Sequence, residues 1–110
     1  MHDSYDDNVV SIDSQDIINM MKGAKEIGVF ASKDRTPSKV LRKLFAEAKD
    51  LTRFTKLMIS IRGPVETDVN KCKYIVEYIA SQADKNTTII WGASIHKSNN
   101  LQVFLIGVAD

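Results

Sequence analysis

The sequence predicts a two-layer α+β domain: a mixed four-stranded sheet with two main helices on one face, plus a short N-terminal helix. Three observations carry this expectation. Segments 25–32, 56–62, 87–95 and 101–109 are rich in Val, Ile, Leu and Phe and alternate with the period of a strand. Segments 36–48 and 67–83, lying between the first three of these, place their apolar residues at helical spacing. The last two strand segments are separated only by His96-Lys97-Ser98-Asn99-Asn100, which has the length and composition of a hairpin loop.

Residues 1–8 are polar apart from Met1 and Tyr5 and read as a disordered tail, leaving 9–110 as the folded domain. Val9 to Ile12 is an extended lead-in. The first helix runs from about Ser14 to Lys22, with Ile17, Met20, Met21 and Ala24 on one face, and Gly23 marks its end. Thr36-Pro37 opens the second helix as N-cap and first helical position. Its stripe is Val40, Leu41, Leu44, Phe45 and Ala48. Gly63-Pro64 breaks the second strand. The third helix follows from about Thr67 to Ala83, with Val69, Cys72, Val76, Ile79, Ala80 and Ala83 as its buried stripe. Crossover connections make the first three strands parallel, and the hairpin makes the last pair antiparallel.

Alternation sorts the strand residues onto two faces. Ile27, Val29, Leu57, Ile59, Ile61, Ile89, Trp91, Ile95, Leu101, Val103 and Leu105 form the face expected under the helices. The other face collects Phe30, Met58, Ile90, Phe104, Ile106 and Val108 among polar residues. A sheet with one wet side shows cleaner alternation than this. Something is therefore expected to cover the second face. The first helix is short, about 13 Å at 1.5 Å rise per residue, so a partner or a second copy is the other candidate.

Bulk composition narrows the function classes. The 110 residues are 44% hydrophobic, enough for a core without staples. With 15 basic and 14 acidic residues the net charge is +1, which calls for neither nucleic acid nor an anionic membrane. A lone cysteine, Cys72, makes no internal disulfide and suits a reducing compartment. No apolar run approaches a membrane span, and the acidic start is unlike a signal peptide, so a cytoplasmic location is expected. Cys72 sits on an apolar stripe and reads as a small core residue. His96 has no second ligand near it in sequence, so no metal site is expected. Ser60 and Ser94 have no histidine base placed with them. Trp91 reads as a packing residue, and Gly92 and Gly107 as sites of close strand packing.

The run Ala80-Ser81-Gln82-Ala83-Asp84-Lys85-Asn86-Thr87-Thr88-Ile89-Ile90-Trp91-Gly92-Ala93-Ser94-Ile95 resembles the helix-to-strand passage of the C-terminal domain of the FtsZ/tubulin cytoskeletal GTPases. Gly28-Val29-Phe30-Ala31-Ser32-Lys33-Asp34-Arg35 resembles that family's G-x-A-S-G-E-D-R strand and loop. Leu57-Met58-Ile59-Ser60-Ile61-Arg62-Gly63 resembles its strand ending in I-T/R-G. These pieces occur in the family's order from about Val9 onward. Ser11-Ile12-Asp13-Ser14-Gln15-Asp16-Ile17 is similar to the synergy loop, N-x-D-x-x-D-V, with Ser11 in place of Asn.

The resemblance implies a stand-alone C-terminal-type domain acting as an interaction module in cell division or filament assembly. Its partner would be an FtsZ/tubulin-like subunit or a second copy. It also implies that Asp13 and Asp16 can reach a neighbouring subunit's GTP and position the attacking water, since phosphoryl transfer depends mainly on positioning. Ser11, Asp34 and Arg35 are then contact residues. The family's glycine-rich phosphate loop is absent from these 110 residues. No cofactor is expected on this chain alone, GTP would come only through a partner, and the chain is expected to be no enzyme by itself. Asp13 and Asp16 also have a purely structural reading as helix-start carboxylates, worth roughly 0.5–2 kcal/mol. A reading from another class is a small-molecule-binding or chorismate-mutase-like oligomeric enzyme using Arg35, Arg42, Arg53 or Arg62 to hold a carboxylate.

Overall fold

The computed structural model describes residues 8–10, 14–64, 67, 69–97 and 99–110. In chain order the elements are β1 (Asn8–Val10), α1 (Ser14–Met21), β2 (Glu26–Asp34), α2 (Pro37–Glu47), β3 (Lys56–Gly63), α3 (Val69–Ser81), β4 (Thr88–Ile95) and β5 (Leu101–Ala109). The four long strands form the expected mixed sheet, and α2 and α3 supply the buried helical side chains of its core. The three-residue β1 adds a short fifth strand at the β4 edge.

Local chemistry sets the element ends. Gly23 closes the turn after α1 at φ 76°, a left-handed conformation that costs glycine nothing sterically. The Thr36 hydroxyl accepts the Lys39 N–H at 3.3 Å, and Pro37 fills the first helical position, where no N–H is needed.

The strand order is β1-β4-β3-β5-β2. β3 and β4 pair in parallel, and β5 runs antiparallel to both β3 and β2. The three earlier long strands thus point the same way, as expected. The connection between β4 and β5, however, is not a hairpin. It passes the end of β3, where the His96 N–H donates to the Gly63 carbonyl at 2.6 Å, and delivers β5 between β3 and β2. Five residues easily cover two strand spacings of about 4.8 Å each. The driving force is burial: Leu101, Val103 and Leu105 on one side of β5, and Val108 on the other, are all buried. A strand apolar on both sides belongs in the interior of a sheet.

The core lies between the sheet and the helices. Val40, Leu41 and Leu44 of α2 and Cys72, Ile75 and Ile79 of α3 pack with Leu57, Ile59, Ile61, Val103 and Leu105. The α3 stripe is rotated from the expected one: Ile75 is buried and Val69 exposed, because the 72-75-79 row faces the sheet. The connection after α2 contributes Leu51 and Phe54, both buried.

Phe54 determines which way β2 faces. Gly28 and Gly107 are paired across β2 and β5, and a Cβ on Gly107 would stand 2.6 Å from the Phe54 ring, one on Gly28 2.8 Å. The two glycines form a slot on the core side that the ring fills. Phe30 follows on the same side and meets Phe54 edge-on at 6.4 Å. The sorting of β2 expected from alternation is therefore inverted. Phe30 is a core-side residue, and Ile27 and Val29 belong to the second face.

Candidate interaction surface

Strand registers assemble the second sheet face in rows. One row runs Val29, Ile106, Met58, Ile90 across four strands. The next is Ala31, Phe104, Ser60, Gly92, and beyond it lies a polar row of Lys33, Gln102, Arg62 and Ser94. The apolar part is unevenly covered. Met58 and Val108 are buried, with Ala24, from the turn between α1 and β2, packed against them beside Ile90 and Ile106. Toward the β2 edge the cover ends: Val29 is 66% exposed, Ile27 42% and Phe104 37%. A hollow of about 310 Å³, lined by Ala31, Ser32, Lys33, Gln102 and Phe104, continues this strip.

An open strip of Ile27, Val29, Ala31 and Phe104, bordered by Lys33 and Gln102, has the chemistry of a protein contact: an apolar centre with a polar rim. Alternation alone misplaced Ile27 and Val29. The signal that could have corrected it was the pair of glycines, Gly28 and Gly107, which only a side bearing a large ring would require.

Asp34 and Arg35 stand at the corner between β2 and α2. The Asp34 carboxylate accepts from Lys43 Nζ at 2.9 Å and from the Arg35 N–H at 2.6 Å. The Lys43 ammonium also donates to the Lys33 carbonyl at 3.2 Å. The Lys43 hydrogen bond, followed by that from the Arg35 backbone, holds the Asp34 carboxyl below the usual aspartate range. This side chain is thus engaged in tying the strand end to α2, and the Arg35 side chain is exposed. Of the alternative carboxylate-binding arginines, Arg53 pairs with Glu26 at 3.3 Å and lies over the Phe54 ring at 4.6 Å. Ser11 and Asp13 lie outside the described residues. Asp16 is in the first turn of α1, and its side chain lies outside the description as well. Among the described residues no group of three or more His, Cys, Asp or Glu is placed to hold a metal ion. No described helix is long and apolar enough to cross a membrane.

No protein-family model matches the chain. Over 108 residues, 91% of this chain, it is 26% identical to the cell division protein FtsZ 1 of Methanocaldococcus jannaschii. Over 93 residues, 79% of this chain, it is 31% identical to the cell division protein FtsZ of Methanothermobacter thermautotrophicus. It spans 30% and 24% of those proteins. Among solved structures, an FtsZ dimer from M. jannaschii superimposes with a TM-score of 0.81 at 21% identity, covering 94% of this chain and 32% of that one. TubZ of Bacillus thuringiensis serovar israelensis, solved as GDP-form protofilaments, superimposes at 0.70 with 14% identity, covering 93% and 31%.

Proposed function

We propose that this chain, which resembles a C-terminal piece of FtsZ in sequence and fold, is a protein-interaction module of cell division or cytoskeletal filament assembly. It docks on an FtsZ-like subunit through the strip along β2 and β5. The observation that carries this reading is the exposure of Val29, Ile27 and Phe104 on a face whose inner part, at Met58 and Val108, is already dry. Leaving such a strip in water forfeits roughly 25 cal/mol for each Å² that a partner could cover. The solved neighbours support it, being an FtsZ dimer and TubZ protofilaments, in which subunits of this fold lie against one another.

Co-sedimentation with FtsZ of M. jannaschii polymerised with GTP tests the reading. The chain is expected to pellet with polymer or to change its mass, while a Val29→Lys variant stays in the supernatant. Equal pelleting of the variant, or no effect of the unmodified chain, contradicts it.

A finer reading concerns chemistry supplied to the partner. Asp13 and Asp16 resemble the synergy-loop aspartates, and a carboxylate at hydrogen-bonding distance can orient water for attack on a phosphoryl group. GTP would be held by the partner subunit. Adding the chain to an isolated FtsZ nucleotide-binding half should then raise GTP hydrolysis, and Asp13→Ala or Asp16→Ala should remove the rise. Turnover that is the same with both variants as with the unmodified chain rules this contribution out.

A further inference from the structure

Among the described strands, the sheet ends in β1 on one side and β2 on the other. β1 is three residues long and its register with β4 is irregular, two of the features that keep a sheet edge from pairing further. β2 has neither. It is nine residues long and keeps unbroken register with β5 from Glu26 to Asp34. Between Glu26 and Lys33 it holds no charge and no proline.

The registers fix which backbone groups of β2 point away from the sheet. The Gly63 carbonyl accepts from the His96 N–H, and the Thr55 carbonyl from the Thr88 N–H. The odd-numbered residues of β3 therefore turn toward β4 and the even-numbered ones toward β5. Carried through β5 to β2, the alternation bonds Gly28, Phe30 and Ser32 to β5 and directs the N–H and C=O groups of Ile27, Val29 and Ala31 outward. Lys33 faces outward as well, and its carbonyl accepts from Lys43 Nζ. The outward residues also carry exposed side chains: Val29 is 66% exposed, Ile27 42%, and Ala31 is exposed too.

We infer that β2 pairs edge to edge with β2 of a second copy of this chain, antiparallel about a twofold axis at Val29, so that two sheets continue as one. Val29 then faces Val29 of the second copy, and Ile27 faces Ala31. Each of these pairs exchanges both of its N–H···O bonds, and the apolar side chains close over one another on the open face. On the core side Phe30 stands opposite Gly28, so no two large side chains meet. Charge selects this register. An axis at Phe30 would set Glu26 against Asp34, and Ile27 against Lys33, whose carbonyl Lys43 already engages. With the axis at Val29 the like charges that meet are Lys33 and Lys25, beyond the first residue of β2 and exposed, where salt screens them. A second copy is the fitting occupant because the strand's middle reads alike from either end: apolar at 27, 29 and 31, uncharged at 28, 30 and 32. Pairing uses the backbone edge and does not depend on the docking of an FtsZ-like subunit.

Sedimentation equilibrium of the whole chain, from micromolar to millimolar concentration, tests this. A monomer–dimer equilibrium is expected, with the dimer at the high end, because one strand edge is narrower than the roughly 1,200–2,000 Å² of stable interfaces. Ala31→Pro removes an outward N–H and keeps the bonds to β5, so it should give monomer with unchanged circular dichroism. Val29→Lys sets like charges at the axis and should do the same. Phe104→Lys alters the docking face one strand in and should leave the dimer intact, which separates loss of docking from loss of pairing. Under mild oxidation Val29→Cys should cross-link at least about tenfold faster than Ile27→Cys, because only position 29 meets itself at the roughly 5.5 Å between Cα atoms that a disulfide spans. Cys72 is buried, so the unmodified chain is the blank. Monomer mass throughout, mass climbing beyond a dimer, dimers that survive both Ala31→Pro and Val29→Lys, or equal cross-linking of the two cysteine variants overturns the inference.

Discussion

Phe54 and the two glycines opposite it decide the core side of β2, so substitutions there should have effects larger than their size suggests. A Cβ at Gly107 meets ring carbons at 2.6 Å, with backbone on one side and a ring buried in the core on the other. Gly107→Ala is expected to destabilise by about 1–3 kcal/mol through overpacking, and Phe54→Ala by about 3–5 kcal/mol through the cavity it leaves. Urea unfolding measures both. In a Phe54→Leu background the cost of Gly107→Ala should shrink, because the clash partner is gone. Asp34 contributes a pH signature. Its folded-state carboxyl is held below its ordinary value by Lys43 and the Arg35 N–H. The stability this represents is present above the ordinary aspartate value of about 3.9 and is lost as pH falls through the lower folded value. Asp34→Asn should therefore lower stability at neutral pH and flatten its decline on acidification. Unchanged acid profiles by chemical denaturation would contradict that origin.

Among the elements, α2 was the most legible in the sequence, and its start is held by the Thr36 cap. Thr36→Ala removes the acceptor for the Lys39 N–H and should cost about 1 kcal/mol, read as a lowered thermal midpoint. The strands were legible as strands but not in their arrangement. β2 offers apolar residues on both sides, Ile27-Val29-Ala31 and Gly28-Phe30, so period-two alternation cannot choose between them. The choice is made by Phe54, 24 residues beyond Phe30 in sequence, through the paired Gly28 and Gly107. The five residues from His96 to Asn100 fit a hairpin equally well, and only the burial on both sides of β5 sends that strand past β3. α3 offered two overlapping apolar rows, and contact with the sheet selected the one containing Ile75. The candidate surface was legible as a greasy second face that includes Phe104, but its most open residues were not, because the inversion of β2 brings Val29 and Ile27 into it. At the scale of that strand, Val29→Lys should change stability by no more than about 0.5 kcal/mol, since the side chain is mostly in solvent. A large loss of stability would mean the strip is covered by this chain itself.

On the scale of the whole molecule, the extents are 36 × 31 × 19 Å, and among the described residues α2 and α3 pack on one side of the sheet. The helices seal one side of the sheet. The other is sealed at Met58 and Val108 and open at Val29 and Phe104. The proposed docking places another subunit against the open β2 edge of that second side. Hydrogen–deuterium exchange with and without GTP-polymerised FtsZ of M. jannaschii tests this most directly. Slowed exchange in β2 and β5, with the outer side of α2 and α3 unchanged, is the expected result. Protection confined to the helices, or no protection in either strand, would contradict docking through the sheet.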